Sequence, residues 1–238
     1  MVEKKTLGKS AVNALFAVIL TALALSCLLP LIYNLAVSFS SKAAAEAGRV
    51  AFWPVDFTAN AYRDIMKEKN FFLSFLVALK RVVLSLITTL PILTMAAYPL
   101  AKSKKEFPPR NSILWVFVFC MMFSGGTIPW YMVMKSYGLI NNVFGLAICG
   151  GIPVFNLILM VNFFQGIPTE LEEAAMVDGA GSWYILLRIV VPLSKPVLAT
   201  IALFTIVAQW NEFFQGLVLS TSATHYPLQT YIKQLVFQ

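Results

Sequence analysis

The chain has 238 residues, of which 59% are hydrophobic and only 12% charged, with a mean hydropathy of +0.77. Several of its apolar runs reach the roughly 20 residues that a helix needs to cross a bilayer, so an ordinary soluble domain is excluded. The net charge of +7 is carried by residues that flank these runs. That placement fits anchoring at lipid headgroups and gives no reason to invoke nucleic acid. The reading is an all-α, polytopic membrane protein. Cys27, Cys120 and Cys149 all fall within apolar runs. Thiols packed like small hydrophobes fit them better than a disulfide or a metal site.

Met1 to Ser10 is short and basic. Gly8-Lys9-Ser10 imitates the end of a phosphate-binding loop, but Glu3 stands where the earlier glycine belongs and no strand precedes it. Ala11 to Val37 is too long for a signal-peptide core and reads as an uncleaved first span, with Pro30 a place for it to bend. Ser38 to about Asn70 is polar. Within it Phe52-Trp53-Pro54 suits a membrane interface, and Phe57 to Lys67 suits an amphipathic helix. Val82 to Ala101 is the second span, which leaves Lys80 and Arg81 at the interface with their charges reaching for water.

Lys102 to Arg110 is a basic loop closed by Pro108-Pro109. The third span, Ile113 to about Met134, is interrupted by Ser124-Gly125-Gly126-Thr127 and Pro129. Such a break serves either as a notch for close helix packing or as unwound backbone lining a cavity. Tyr137 to Asn142 reads as a turn. The fourth span runs from Val143 to Gln165 and carries Asn156 and Asn162, and the fifth runs from Val197 to about Leu219. Leu228 to Gln238 is too short and polar to cross.

Two stretches carry functional signals. Phe204 to Phe214 reads FTIVAQWNEFF, and Glu212 is the one acidic side chain within the five runs. An ionisable group inside a membrane span normally faces protein or water, and is a functional candidate for that reason. Gln209, Trp210 and Asn211 beside it offer hydrogen bonds and a flat apolar face suited to sugars; Asn156 and Asn162 are weaker candidates, for which helix packing is the better reading. The alternative is that Asn211 and Glu212 only tie neighbouring helices together.

The second stretch is Thr169 to Pro196, TELEEAAMVDGAGSWYILLRIVVPLSKP. Thr169 and Glu172 have capping-box spacing, and Glu170, Glu172 and Glu173 put negative charge in a helical first turn. Asp178-Gly179 supplies a turn, a second helix runs from Trp183 to Val191, and Pro192 stops it. From physics alone this is equally an amphipathic connector lying on the lipid.

Glu173-Ala174-Ala175, Gly179, Ile189 and Pro192 resemble the EAA signature of ABC-importer permeases, EAA-x3-G-x9-I-x-L-P, with Val191 in place of the usual Leu. Ala96–Lys102, Ser124–Asn142, WNEFF and Tyr226–Tyr231 are similar to the carbohydrate permeases of the MalG/LplC branch, which are binding-protein-dependent. The resemblance implies a type I ABC-importer permease fold in one transmembrane domain, 1–238. It implies that 169–196 is a cytoplasmic coupling segment, with Glu172, Glu173, Ala174, Ala175, Asp178, Gly179, Ile189 and Pro192 facing or shaping the contact with an ATPase. The implied partners are a second homologous permease subunit, two cytoplasmic ATPase subunits and an extracytoplasmic binding protein or lipoprotein. The implied substrate is an oligosaccharide or related sugar, carried across the bacterial cytoplasmic membrane. Neither catalysis nor a cofactor or metal is expected of the chain itself.

Lysine and arginine divide nine and nine between the two sides, so charge alone does not set the orientation, whereas the resemblance requires 169–196 to be cytoplasmic. Members of the family usually continue to a sixth span beyond the YPLQTY stretch. It is absent here, so about five spans are expected, and a degenerate, non-transporting permease is one alternative. A secondary transporter driven by an ion gradient is the other. It would need paired mid-membrane charges and inverted repeats that the sequence does not offer.

Overall fold

A computed structural model describes residues 7–123 and 125–236, with side chains from residue 12 onward. The basic residues Lys4 and Lys5, and Ser124 of the interrupted third span, lie outside the described residues. All regular structure among the described residues is helical. The chain divides into two compact units, one ending at Lys69 and one beginning at Asn70.

The first unit holds α1 (Leu7–Ser38), α2 (Lys42–Glu46) and α3 (Asn60–Lys67). Val12–Ser38 is strongly apolar and exposed until Ala36, which is buried, and α1 continues through Pro30. Ser41 caps α2 by accepting from the Ala44 N–H at 3.3 Å. Phe39 stacks on Phe57 and tilts against Tyr62, while Trp53 stays exposed. The expected amphipathic helix is present but starts at Asn60 rather than Phe57.

The second unit is built on α4 (Lys69–Ala101), a 33-residue helix that contains Pro91 and Pro99. It therefore starts well before Val82, and Arg81 lies in its interior. This corrects the interfacial placement: Lys80 is exposed, but Arg81 is wholly buried in protein. The helices α5 (Arg110–Met122) and α6 (Thr127–Ser136) follow, then α7 (Val143–Ile148) and α8 (Val154–Gln165). The helix α9 (Thr169–Val177) leaves α8 at a 70° bend. After α10 (Ser182–Ile185), a π turn (Leu186–Val190) and α11 (Val191–Leu193), the chain bends by 79° into α12 (Lys195–Asn211). The unit closes with α13 (Phe214–Leu219) and α14 (Leu228–Val236).

Among the described residues two helices are long and apolar enough to cross a membrane alone, and up to five spans result if each bent pair counts as one. Three expected spans are thus broken. The third divides around Gly125–Gly126, the fourth at 149–153 and the fifth at Glu212–Phe213. Glycine, proline and polar side chains at these points end each helix sooner than its hydropathy indicates.

The main core forms where one face of α4 (Leu93, Ala97, Leu100) meets one face of α8 (Leu157, Met160, Val161, Phe164). These positions recur at three and four residues, the period that places side chains on one helical face. Ile185, Leu186 and Val190 of the π turn region, with Val197 and Ile201 of α12, complete it. In the turn before α7, Asn141 adopts φ +57° and its side chain joins Thr221, accepting from the Thr221 N–H at 2.7 Å. Asn142 then caps α7 through the Phe144 N–H at 2.9 Å. Gly145 lies against the Leu139 carbonyl so closely that a Cβ there would overlap it. We expect Gly145→Ala to destabilise the protein by about 2 kcal/mol, measured as thermal unfolding in detergent, since backbone cannot yield as a flexible side chain does.

Candidate functional site

The acidic stretch folds as a short surface helix with a built end. At its start Pro168 occupies the capping position, and Thr169 is already helical with no capping hydrogen bond. The expected Thr169–Glu172 capping box is therefore not formed. Glu172 turns the other way, pairing with the Lys102 ammonium and accepting from the Tyr98 hydroxyl at 3.3 Å, so that α9 is tied to the end of α4. The Lys102 ammonium also sits 4.4 Å from the Tyr98 ring centroid. A reciprocal capping pair occurs instead at Ser103–Glu106. There the Glu106 carboxylate accepts from the Ser103 N–H at 2.9 Å, and the Ser103 hydroxyl accepts from the Glu106 N–H at 3.3 Å. Hydrogen bonds from Ser103 hold the Glu106 carboxyl below its usual range.

The far end of α9 is a Schellman turn. Gly179 N–H donates to Met176 O at 3.0 Å and Ala180 N–H to Ala175 O at 2.9 Å, with Gly179 at φ +81°. Glycine is required there by the backbone, since a Cβ would meet open space. Ala175 and Ala180 pack against the main core, whereas Glu173, Ala174, Asp178 and Gly179 are exposed. Ala175, Asp178, Gly179 and Ile189 share the wall of a surface hollow of about 540 Å³ with Tyr184 and Arg188. Pro192 is exposed and does not line it. Nor does Pro192 stop its helix, which runs on to Leu193. Its missing N–H instead coincides with the π turn just before it, where Val191 N–H reaches back five residues to Leu186 O.

The second candidate region surrounds the break between α12 and α13. A cavity of about 200 Å³ is walled by Asn156, Gln209, Glu212, Arg81 and Gln215, among others, so three of the five candidates read from the sequence converge there. The other two do not. Trp210 packs edge-on against Phe75 at 5.8 Å, and Asn211 donates to Val207 O within its own helix. The Arg81 guanidinium holds both sides of the break. Nε donates to Gln209 Oε1 at 2.7 Å, Nη1 to the Glu212 carbonyl at 3.2 Å, and Nη2 to Gln215 Oε1. Glu212 Oε1 accepts from the Gln215 N–H at 3.0 Å, and the Phe213 carbonyl accepts from Thr230 Oγ1 at 2.8 Å. The backbone groups freed by the break thus find partners inside the protein, which is what permits irregular backbone among apolar helices.

A family described as the inner membrane component of binding-protein-dependent transport systems matches residues 65–236. The chain belongs to that family. Protein LplC of Bacillus subtilis (strain 168) is 39% identical over 208 residues, which cover 87% of this chain and 70% of LplC. The polygalacturonan/rhamnogalacturonan transport system permease protein YtcP of the same organism is 35% identical over 213 residues, 90% of this chain and 74% of YtcP. Among solved structures, a chain from the crystal structure of a bacterial ABC transporter involved in the import of the acidic polysaccharide alginate superposes with a TM-score of 0.90. It is 35% identical, with 98% of this chain and 82% of that chain covered.

Within this permease, Arg81, Gln215 and Lys102 are the functional candidates that were missed. A signal for Arg81 was present: Ser74, Ala78, Val82 and Ser85 line the same helical face in a stripe of small residues, the pattern of a packed interface rather than a lipid-facing one. For Lys102 and Glu172 the partners lie 70 residues apart, and only the fold brings them together. We expect Lys102→Met to destabilise the permease by about 1–2 kcal/mol in thermal unfolding, because it leaves the half-buried Glu172 carboxylate without its cation. Glu172→Gln in the same background restores part of that loss.

Proposed function

We propose that the chain is a transmembrane permease subunit of an ATP-driven importer for oligosaccharides or related sugars. It forms half of the translocation pathway in the bacterial cytoplasmic membrane and performs no chemistry. The whole chain works as one permease domain, paired with a second, homologous subunit. Two cytoplasmic ATPase subunits and an extracytoplasmic binding protein or lipoprotein complete the assembly. Residues 169–196 are the coupling segment, so that closure of the ATPase moves α9 and, through Glu172 and Lys102, the end of α4. The polar cavity around Glu212 belongs to the substrate path, and Asn156, Gln209 and Glu212 are its contacts.

The observation that carries this reading is α9 itself: a nine-residue helix with an exposed Glu173-Ala174 edge and a Schellman end, held to α4 by a half-buried ion pair. The sugar assignment is supported by the named substrates of YtcP and of the alginate importer, and by a cavity that mixes carboxamides with the Phe204 ring. The test is affinity purification of the tagged chain in mild detergent, comparing wild type with a Glu173→Lys and Gly179→Asp double variant. The reading predicts that wild type recovers an ATPase and a second permease, and that the variant keeps the permease but loses the ATPase. Equal recovery of the ATPase from both removes α9 as the contact.

A further inference from the structure

The cavity at the α12–α13 break contains a feature that simple helix packing does not require. Asn156 is 7% exposed and lines the cavity, yet its side chain makes no hydrogen bond among the described residues. Its polar atoms are not among the sealed, unpartnered ones of the interior, so they open into the cavity and stand free to meet whatever fills it. Its unmet groups point to an occupant that can both give and receive hydrogen bonds.

The two glutamines of the wall are oriented by Arg81. A guanidinium only donates, so by taking Gln209 Oε1 and Gln215 Oε1 it fixes which end of each carboxamide is spent. The NH2 end of each stays unspent among the described residues. Gln215 Nε2 lies beside Gly150, 3.9 Å from where a Cβ would stand, and no side chain there fills the space. Glu212 supplies the acceptor on the same wall, with Oε1 committed to the Gln215 N–H and its second oxygen unused by any side chain. Phe204 adds an aromatic face, and the backbone of Gly150 and Gly151 forms a bare floor. Donors, an acceptor and a ring around about 200 Å³ suit one pyranose unit, whose hydroxyls need both kinds of partner and whose C–H face packs on an aromatic. Arg81 borders the same cavity but has no exposed surface and its three donors are committed to Gln209, Gln215 and the Glu212 carbonyl, so it acts through them.

We propose that this cavity is a subsite for a single sugar ring, contacted by Asn156, Gln209, Glu212 and Gln215, and that Arg81 is its positioning residue. The proposal rests on the sugar-import reading and adds to it the residue that sets recognition. Loss of Arg81's contacts frees the Gln209 carboxamide and leaves Gln215 held only by the Cys149 thiol, so recognition changes even where the helices stay packed. Lysine keeps the charge but, as a point donor on a flexible stem, does not reproduce the fork that holds three acceptors at once.

The experiment is ATP-driven uptake by the complete importer in proteoliposomes, using two labelled trisaccharides as probes, neutral maltotriose and acidic trigalacturonate. For whichever probe wild type carries, Asn156→Leu is expected to raise KM about tenfold with Vmax within about twofold, the mark of a lost ground-state contact. Arg81→Lys is expected to raise KM by a similar factor, and the Asn156→Leu, Arg81→Lys double variant to be no worse than about twofold beyond either single one, since both act on one subsite. A merely structural Arg81 would lower the yield of complex and Vmax while leaving KM unmoved. An unchanged KM in Asn156→Leu, or full additivity in the double variant, overturns the proposal. Should Arg81→Lys fail to assemble, Gln209→Met replaces it with the same expectation. If wild type carries neither probe, the sugar-import reading fails, and this inference with it.

Discussion

Gly216→Ala is expected to abolish accumulation of the folded permease, although it adds a single methyl group. A Cβ at this position would overlap Thr230 Oγ1 and stand 2.8 Å from Pro227 Cδ and 3.1 Å from Pro227 Cγ. The ring is rigid, and Thr230 is held by its bond to the Phe213 carbonyl, so neither neighbour gives way cheaply. Overpacking of this kind costs about 3 kcal/mol, a large share of a typical protein's stability. The Phe213 carbonyl keeps the Leu217 N–H at 3.0 Å, so loss of the Thr230 contact adds little to that cost. Membrane-fraction abundance and thermal unfolding in detergent measure the effect. Gly216→Ala with Thr230→Ala should recover only part of it, because Pro227 remains in the way. Wild-type abundance in the single variant would show that α14 does not pack against α13 as described.

Arg81→Leu is the second large effect. The side chain has no exposed surface and supplies three hydrogen bonds, so its removal takes the donors from Gln209 Oε1 and the Glu212 carbonyl and leaves Gln215 Oε1 with only the Cys149 thiol. Partly buried acceptors without donors cost about 1 kcal/mol each, giving about 2 kcal/mol for the two left without one. It also leaves Glu212 as an uncompensated charge on the cavity wall. The expected result is lower thermal stability in detergent together with lost transport. Adding Glu212→Gln should return part of the stability without returning transport, because the charge is removed while the glutamines stay without Arg81. Wild-type stability in Arg81→Leu would contradict the geometry of the break.

The all-helical membrane class, and the place of the acidic helix between two apolar runs, were legible because they depend on local properties. Hydropathy marks apolar runs, and Gly179 with its neighbours encodes a helix end that the backbone then adopts. What was not legible depended on distant partners. Thr169 and Glu172 have capping-box spacing, but Lys102 and Tyr98 approach in the fold and take Glu172 away. Arg81 reads as interfacial because it stands beside Lys80 at the edge of an apolar run. Only the convergence of Gln209, Glu212 and Gln215 shows why a cation is tolerated inside α4. Trp210 and Asn211 share a polar cluster with Gln209 in sequence. Successive helical positions point about 100° apart, however, and that rotation turns them out of the cavity.

The most direct test of the central claim is photo-cross-linking from position 174 in the assembled importer. Ala174 is exposed on α9, so a photoreactive amino acid fits there without disturbing the core. The same amino acid at Trp53, exposed in the first unit and far in sequence from 169–196, serves as the control. A covalent product between position 174 and the ATPase subunit, with none from position 53, is the predicted result. Products with the ATPase from position 53 alone, or none from position 174 in a complex that still contains the ATPase, would contradict it.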